Sequence, residues 1–152
     1  MPYRAVVAGA TGAVGGEEFR RVEVEYAGAF ARGAAAAGAR HLSLLSAIGA
    51  NAASVNRFAR TKGQGEEAVI TGGVPRTSIF RPSVLATDDI RYGLQDRLTQ
   101  ALIPLVAPLL PRKLHHIHVT DLGRAMRLNA ERHAPDGVAY LYYPDYIALL
   151  SG

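Results

Sequence analysis

Arg4-Ala5-Val6-Val7-Ala8-Gly9-Ala10-Thr11-Gly12-Ala13-Val14-Gly15 is the stretch on which the fold turns. Arg4–Ala8 is almost wholly apolar, the composition of a short strand buried on both faces of a parallel sheet. Glycines at 9, 12 and 15 then make a turn, and a helical pattern follows. Glycine permits the tight turn and lets a pyrophosphate approach the backbone, while a helix N-terminus offers unpaired N–H groups and a favourable dipole. The bland alternative is a plain strand–helix turn; the strand–turn–helix context favours a dinucleotide site. The apolar run after Arg4 can also mimic a secretory leader, but the spaced glycines favour the buried strand.

Working outward, Phe19, Val22, Tyr26, Phe30 and Ala34 recur every three or four residues and predict a helix facing a core, stopped at Gly38. His41–Ser46 reads as a second strand. Ser54 is the expected cap of a helix carrying Val55, Phe58, Ala59 and Lys62, with Gly63 and Gly65 weakening it. Thr77–Phe80 is a third strand, ending at Arg81–Pro82. Leu94, Leu98, Ala101, Leu102 and Leu105 form a helical stripe interrupted by prolines at 104, 108 and 111. Leu114–Val119 is a short strand, and Thr120 or Asp121 caps a helix through Met126 and Asn129. Val138–Tyr143 is a candidate strand and Pro144–Leu150 a last helical turn or two. Strand and helix alternate from end to end, which predicts βαβ units: an α/β fold with a shortened parallel sheet flanked by helices, in one domain over 1–152.

Composition narrows the functions. Of 152 residues, 49% are hydrophobic and 20% charged, which suits a globular fold. There is no cysteine, which removes disulfides, a thiol nucleophile and a cysteine zinc site. The net charge of +4 is scattered, so nucleic acid is not an expected partner. No apolar run is long enough to span a membrane, and a cytoplasmic location is the default expectation. His115, His116 and His118 lie on one short strand, but no third ligand accompanies the pair that shares a face, so no metal is expected. Asp88-Asp89 reads as a solvated turn, and Tyr140, Tyr142, Tyr143 and Tyr146 as partly packed.

The Gly9–Gly15 loop, GATGAVG, resembles the TGxxGxxG cofactor loop of the short-chain dehydrogenase/reductase superfamily, whose fold is Rossmann-like. FRRVEVEY at 19–26, RHLSLLSAIGAN at 40–51, KGQGE at 62–66, RPSVL at 81–85 and VTDLGRAM at 119–126 together resemble its atypical branch, which includes the Tat-interactive-protein-like oxidoreductases. The resemblance implies an NAD(P)-binding oxidoreductase with NADP or NAD as cofactor and a small carbonyl substrate. It implies that Gly9, Thr11, Gly12, Ala13, Val14 and Gly15 hold the pyrophosphate. Ser46 and Lys62 take the catalytic serine and lysine positions, Lys62 also holds the nicotinamide ribose, and Arg81, Pro82, Ser83 and Val84 line the nicotinamide. Positions 58 and 62 share a helix face, but Phe58 stands where the superfamily has tyrosine. Each residue also has a structural reading: Ser46 as a cap, Lys62 paired with Glu66, Phe58 as core.

The resemblance further implies that a block is absent between Gly16 and Glu17, about 80 residues at roughly 30 per βαβ-type unit. The residue that reads the adenosine ribose lies in that block, so NAD and NADP are not distinguished. Three functions compete: an impaired oxidoreductase, a non-catalytic dinucleotide-binding regulator, and a remnant fold acting through protein contacts. Excision leaves Arg4–Ala8 as an apolar edge paired in parallel with His41–Ser46, with Thr77–Phe80 beyond it, and an exposed edge favours a homodimer. Glu17 and Glu18 place carboxylates where a pyrophosphate would compete for the same field. A few lost hydrogen bonds at about 1 kcal/mol each remove a decade or more of affinity. Dissociation constants for NADH and NADPH should therefore lie well above micromolar, and replacing Glu17 and Glu18 by serine should tighten them. A fluorescence titration checks this; tight binding unaffected by the replacement contradicts it.

Overall fold

The computed structural model describes residues 7–8, 16–83, 85–86, 115 and 117–152. With strands numbered in chain order, β1 (Val7–Ala8), β2 (His41–Leu45), β3 (Arg76–Phe80) and β6 (Gly137–Leu141) form one sheet in the order β1-β2-β3-β6. Every pairing in it is parallel, with Val7 opposite Ser43, Ser43 opposite Ser78 and Ser78 opposite Ala139. The expected order, first strand beside second and third beyond, is the one observed. A second parallel pair, β4 (Leu85–Ala86) with β5 (Ile117–His118), was not expected. The helices are α1 (Gly16–Arg20), a π-helical segment (Arg21–Tyr26), α2 (Ala27–Ala36), α3 (Arg57–Ile70), α4 (Val119–Glu131) and α5 (Tyr143–Ser151).

Alternation along the strands divides the core between the two sheet faces. Leu42 and Leu44 point to one side, where Ala27, Ala31, Val69 and Val74 cover them. Phe80 and Leu141 point to the other and pack with Ile117, Leu122, Ala125, Met126 and Tyr146. Tyr146 stacks on Phe80 at 5.6 Å, and its hydroxyl donates to the Leu141 carbonyl at 2.8 Å. Gly38 ends α2 as expected. At φ +78° it lets its own N–H reach the Ala35 carbonyl and that of Ala39 reach Ala34, both at 2.9 Å.

The structure corrects several expectations. The core-facing stripe of the first helical run is rotated: Glu23, Ala27, Gly28 and Ala31 are buried, while Tyr26 is 57% exposed and Phe30 37% exposed. Two causes combine. The π-helical segment shifts the angular phase of the side chains. The run also lies so close to α3 that small residues must occupy the contact. A β-carbon on Gly65 of α3 would overlap the Glu23 carbonyl oxygen, and one on Gly63 would overlap the backbone of Asn51 and Ala52. Those glycines, expected to weaken α3, are what allows it to dock. The α3 cap is Asn56, whose Oδ1 accepts from the Ala59 N–H at 3.0 Å, while Ser54 Oγ accepts from the Asn56 N–H. His118 caps α4, in place of Thr120 or Asp121, so the helix starts at Val119, where the strand was expected to run. The last strand ends at Leu141 rather than Tyr143, and α5 spans Tyr143–Ser151. The expected helix at 94–105, its prolines, Asp88-Asp89, His116 and residues 4–6 of the first strand lie outside the described residues.

The N-terminal half of the α4-facing sheet surface is polar. His41 Nε2 shares a 2.9 Å hydrogen bond with Ser78 Oγ, which also accepts from Asn129 Nδ2 at 2.9 Å. Arg76 donates to the carbonyls of Asn129 (2.6 Å) and Arg132 (3.1 Å), tying down the end of α4. Burial, reinforced by the Arg76 charge, lowers the His41 pKa from 6.5 to about 4. The unfolded chain thus takes up a proton that the folded chain refuses. The stability contributed by neutral His41 is complete above pH 6.5 and is lost as pH falls towards 4. Thermal melts across this range should show the decline, and His41→Gln should flatten it; equal slopes in both proteins would contradict the assignment.

Candidate functional site

In a parallel α/β sheet, ligands gather at the carboxyl ends of the strands. Ser46 follows β2 there, Arg81, Pro82 and Ser83 follow β3, and Tyr142 follows β6. Backbone bonds continue the pairing past the strand ends, from Ser46 N to the Phe80 carbonyl (2.8 Å), Ile48 N to Pro82 (3.0 Å) and Arg81 N to Leu141 (2.9 Å). Phe58, Lys62 and Glu66 recur at four-residue intervals along α3 and so present one helix face to this edge.

A polar network joins these elements. Ser46 Oγ donates to Glu66 Oε1 at 2.5 Å. Arg81 meets the same carboxylate with two nitrogens, Nε to Oε1 at 2.9 Å and Nη2 to Oε2 at 2.5 Å. Its third nitrogen, Nη1, donates to the Tyr142 hydroxyl at 3.0 Å, and the guanidinium lies 4.4 Å from the Tyr140 ring centroid. The Glu66 hydrogen bonds, foremost, hold the Arg81 pKa above its ordinary value despite partial burial. This two-point pairing is the strong geometry for arginine and carboxylate.

Lys62 belongs to a second network. Its Nζ donates to Glu23 Oε1 at 2.8 Å, with the two side chains 7% and 6% exposed. The ammonium also lies 5.8 and 5.9 Å from the ring centroids of Phe19 and Phe58. Those rings stack at 5.8 Å with an interplanar angle of 11°. Lys62 therefore pairs with Glu23, and Glu66, its expected structural partner, belongs to Ser46 and Arg81. Phe58 is 51% exposed, so the core-filling alternative is also corrected: α3 holds the ring at its rim, against Phe19.

Ser46, Lys62, Phe58, Arg81, Pro82 and Ser83 are thus described, on β2's end, α3 and β3's end. The glycine-loop residues Gly9, Thr11, Gly12, Ala13, Val14 and Gly15, together with Val84, lie outside the described residues. Sequence reasoning missed Glu23, Glu66 as the acceptor from Ser46, and the tyrosines around Arg81. Glu23 was detectable as the acidic member of a small-residue row with Ala27 and Ala31, running beside the aromatic row that drew attention. The Arg81 and Tyr142 contact was not, since 61 residues separate them.

The described fold, a small parallel sheet flanked by helices, is Rossmann-like and similar to that of solved short-chain dehydrogenase/reductase proteins. The enzyme WbmG of Bordetella bronchiseptica, solved in complex with NAD, superposes with a TM-score of 0.63 at 15% identity, over 97% of this chain and 55% of that one. A short-chain dehydrogenase/reductase superfamily protein from Agrobacterium tumefaciens with bound NAD gives 0.61 at 19% identity, over 97% and 63%. In sequence, the chain is 33% identical over 108 residues to "Protein FMP52-1, mitochondrial" of Scheffersomyces stipitis. That match takes in 70% of this chain and 44% of the relative, so the chain spans less than half the length of the curated relative it matches. No protein-family model matches the chain.

Removing one partner of a buried ion pair strands the other charge, at about 3–5 kcal/mol, whereas replacing both by apolar groups is often near neutral. Glu23→Leu should therefore lower the denaturation midpoint strongly, and Glu23→Leu with Lys62→Met should recover most of the loss. Additive losses in urea melts would show that the pair is not coupled.

Proposed function

We propose that the chain is an NAD(P)-binding oxidoreductase-like protein of the short-chain dehydrogenase type, with impaired hydride transfer. The observation that carries this reading is the fate of the donors. Ser46 has one hydroxyl proton, and it is directed at Glu66. Position 58 carries a ring without a proton. In the superfamily the two residues at these positions polarise a carbonyl; here one donor is engaged and the other is missing. Lys62 gives one N–H to Glu23 and, being buried, offers little of the remainder to a ribose.

The residues present fit a dinucleotide on its binding side. The carboxyl ends of β2 and β3 carry Ser46 and Pro82-Ser83, and the glycine-spaced loop precedes α1 in sequence. When bound, a reduced nicotinamide would supply the hydride. The chain would bind the pyrophosphate through Gly9–Gly15 and border the nicotinamide with Arg81–Val84. NAD and NADP are both proposed, with weak affinity, and a small carbonyl compound is the proposed substrate class. Membership of the atypical branch, with an internal block missing after the glycine loop, belongs to the same proposal, as do a homodimer through the β1 edge and a cytoplasmic location. The alternative is a non-catalytic dinucleotide-binding regulator, or a remnant fold acting through protein contacts. The engaged Ser46 proton favours a non-catalytic role.

Loss of a general acid typically costs ~10²–10⁴ in rate, or roughly 3–5 kcal/mol of barrier. The unmodified chain should turn over carbonyl compounds with NADPH slowly or not at all, and Phe58→Tyr should create or raise activity. A spectrophotometric assay of NADPH consumption tests both. No gain in Phe58→Tyr favours the remnant reading, and robust turnover that survives Phe58→Ala overturns the proposal.

A further inference from the structure

We propose that Arg57 and Phe58, in the first turn of α3, form a nucleotide-recognition patch in which Arg57 takes a phosphate and Phe58 the adjoining ring. The inference rests on the dinucleotide-binding reading above and assigns it residues that the superfamily resemblance does not.

The patch is built from two side-by-side contacts between α3 and the first helical run. Phe58 stacks on Phe19, so its ring is held on one side while half of its surface stays open. Arg57 lies against Gly16, the residue that follows the last glycine of the loop in sequence. A β-carbon on Gly16 would overlap the guanidinium carbon and both terminal nitrogens together, so the charged plane lies flat across the glycine. Gly16 and Phe19 are one helical turn apart, and their partners are consecutive residues. Arg57 is thereby placed, although it is exposed.

Among the described residues the placed guanidinium has no counter-ion: Arg57 makes no ion pair and no hydrogen bond with them, although Glu17 and Glu18 follow Gly16 directly. The neighbouring cations are engaged. Lys62 is bound to Glu23, Arg81 to Glu66 and Tyr142, and Arg60 donates to the Ser54 carbonyl at 3.2 Å. Among the described residues, Arg57 is therefore a cation at this end of α3 whose whole planar fork of donors is available, the group best matched to a phosphate. An open aromatic face beside it accepts a flat ring by stacking. The two together select a nucleotide over a simple anion or a neutral aromatic. Phe58 then acts as a binding surface at the place where a phenol would act as an acid.

The test is a titration of the full chain with NADH, followed by fluorescence, beside a calorimetric titration with inorganic pyrophosphate. Arg57→Gln should weaken both ligands about tenfold or more, the scale of a hydrogen bond to a charged group, and should flatten the salt dependence. Gly16→Ala, whose methyl displaces the guanidinium, should do the same without lowering Tm. Phe58→Ala should weaken NADH and leave pyrophosphate unchanged. NADH affinity equal in Arg57→Gln and the unmodified chain overturns the inference while leaving dinucleotide binding in place. Failure of the unmodified chain to bind NADH or NADPH overturns the dinucleotide reading. The pyrophosphate arm then decides the role of Arg57: binding lost in Arg57→Gln supports it, and binding that is unaffected or absent overturns it.

Discussion

Gly65 of α3 faces the Glu23 carbonyl with no room for a β-carbon, and the arrangement around the site follows from that approach. Backbones this close exclude large side chains from the contact, so Ala27, Gly28 and Ala31 line it and the aromatic residues are turned aside. The same approach sets Glu23 beside Lys62, one turn before Glu66 on α3. Two charges removed from water are tolerable only as a well-formed pair, and the 2.8 Å contact supplies one. The π-helical segment that carries Glu23 belongs to this geometry, because its wider turn sets the angular position of the carboxylate.

The second buried carboxylate, Glu66, has the opposite connectivity. Glu23 binds one cation, whereas Glu66 gathers groups from three chain segments: Ser46 after β2, Arg81 after β3 and, through Arg81, Tyr142 after β6. It thus cross-links the carboxyl ends of three adjacent strands to α3. Rigidity there has a chemical consequence. A serine whose proton satisfies a buried carboxylate cannot give that proton to a substrate without leaving the carboxylate less satisfied. The network that orders this edge of the sheet also lowers its capacity for acid catalysis, independently of the phenylalanine at position 58.

At the opposite end of the sheet the polar residues carry a different role. His41, Ser78, Asn129 and Arg76 link β2 and β3 to the end of α4. His41 Nδ1 and Ser43 Oγ are buried without a partner among the described residues, a cost that the apolar clusters on both faces must outweigh. His41 is consequently kept neutral, and its pH response is a stability effect at the end of the sheet remote from Ser46 and Arg81.

Local pattern carried the fold class. Apolar strands alternating with helices point to a parallel sheet, whereas the pairing of Val7–Ala8 with His41–Leu45, with Arg76–Phe80 beyond, was expected from the family resemblance and the block it implies is absent after the glycine loop. The glycine spacing was legible as a residue pattern, while the attention to Ser46, Lys62 and the absence of a tyrosine at 58 came from the family resemblance. Which side of the first helix would be buried was not legible, since periodicity shows two rows, one aromatic and one of small residues. Only the distance to α3 decides between them. Nor were the partners of the charges: Lys62 could reach Glu66 one turn away, yet it binds Glu23, 39 residues away, while Arg81 claims Glu66. Sequence separation says nothing about that competition, which is settled by how closely two helices pack and which cation then lies nearer each carboxylate.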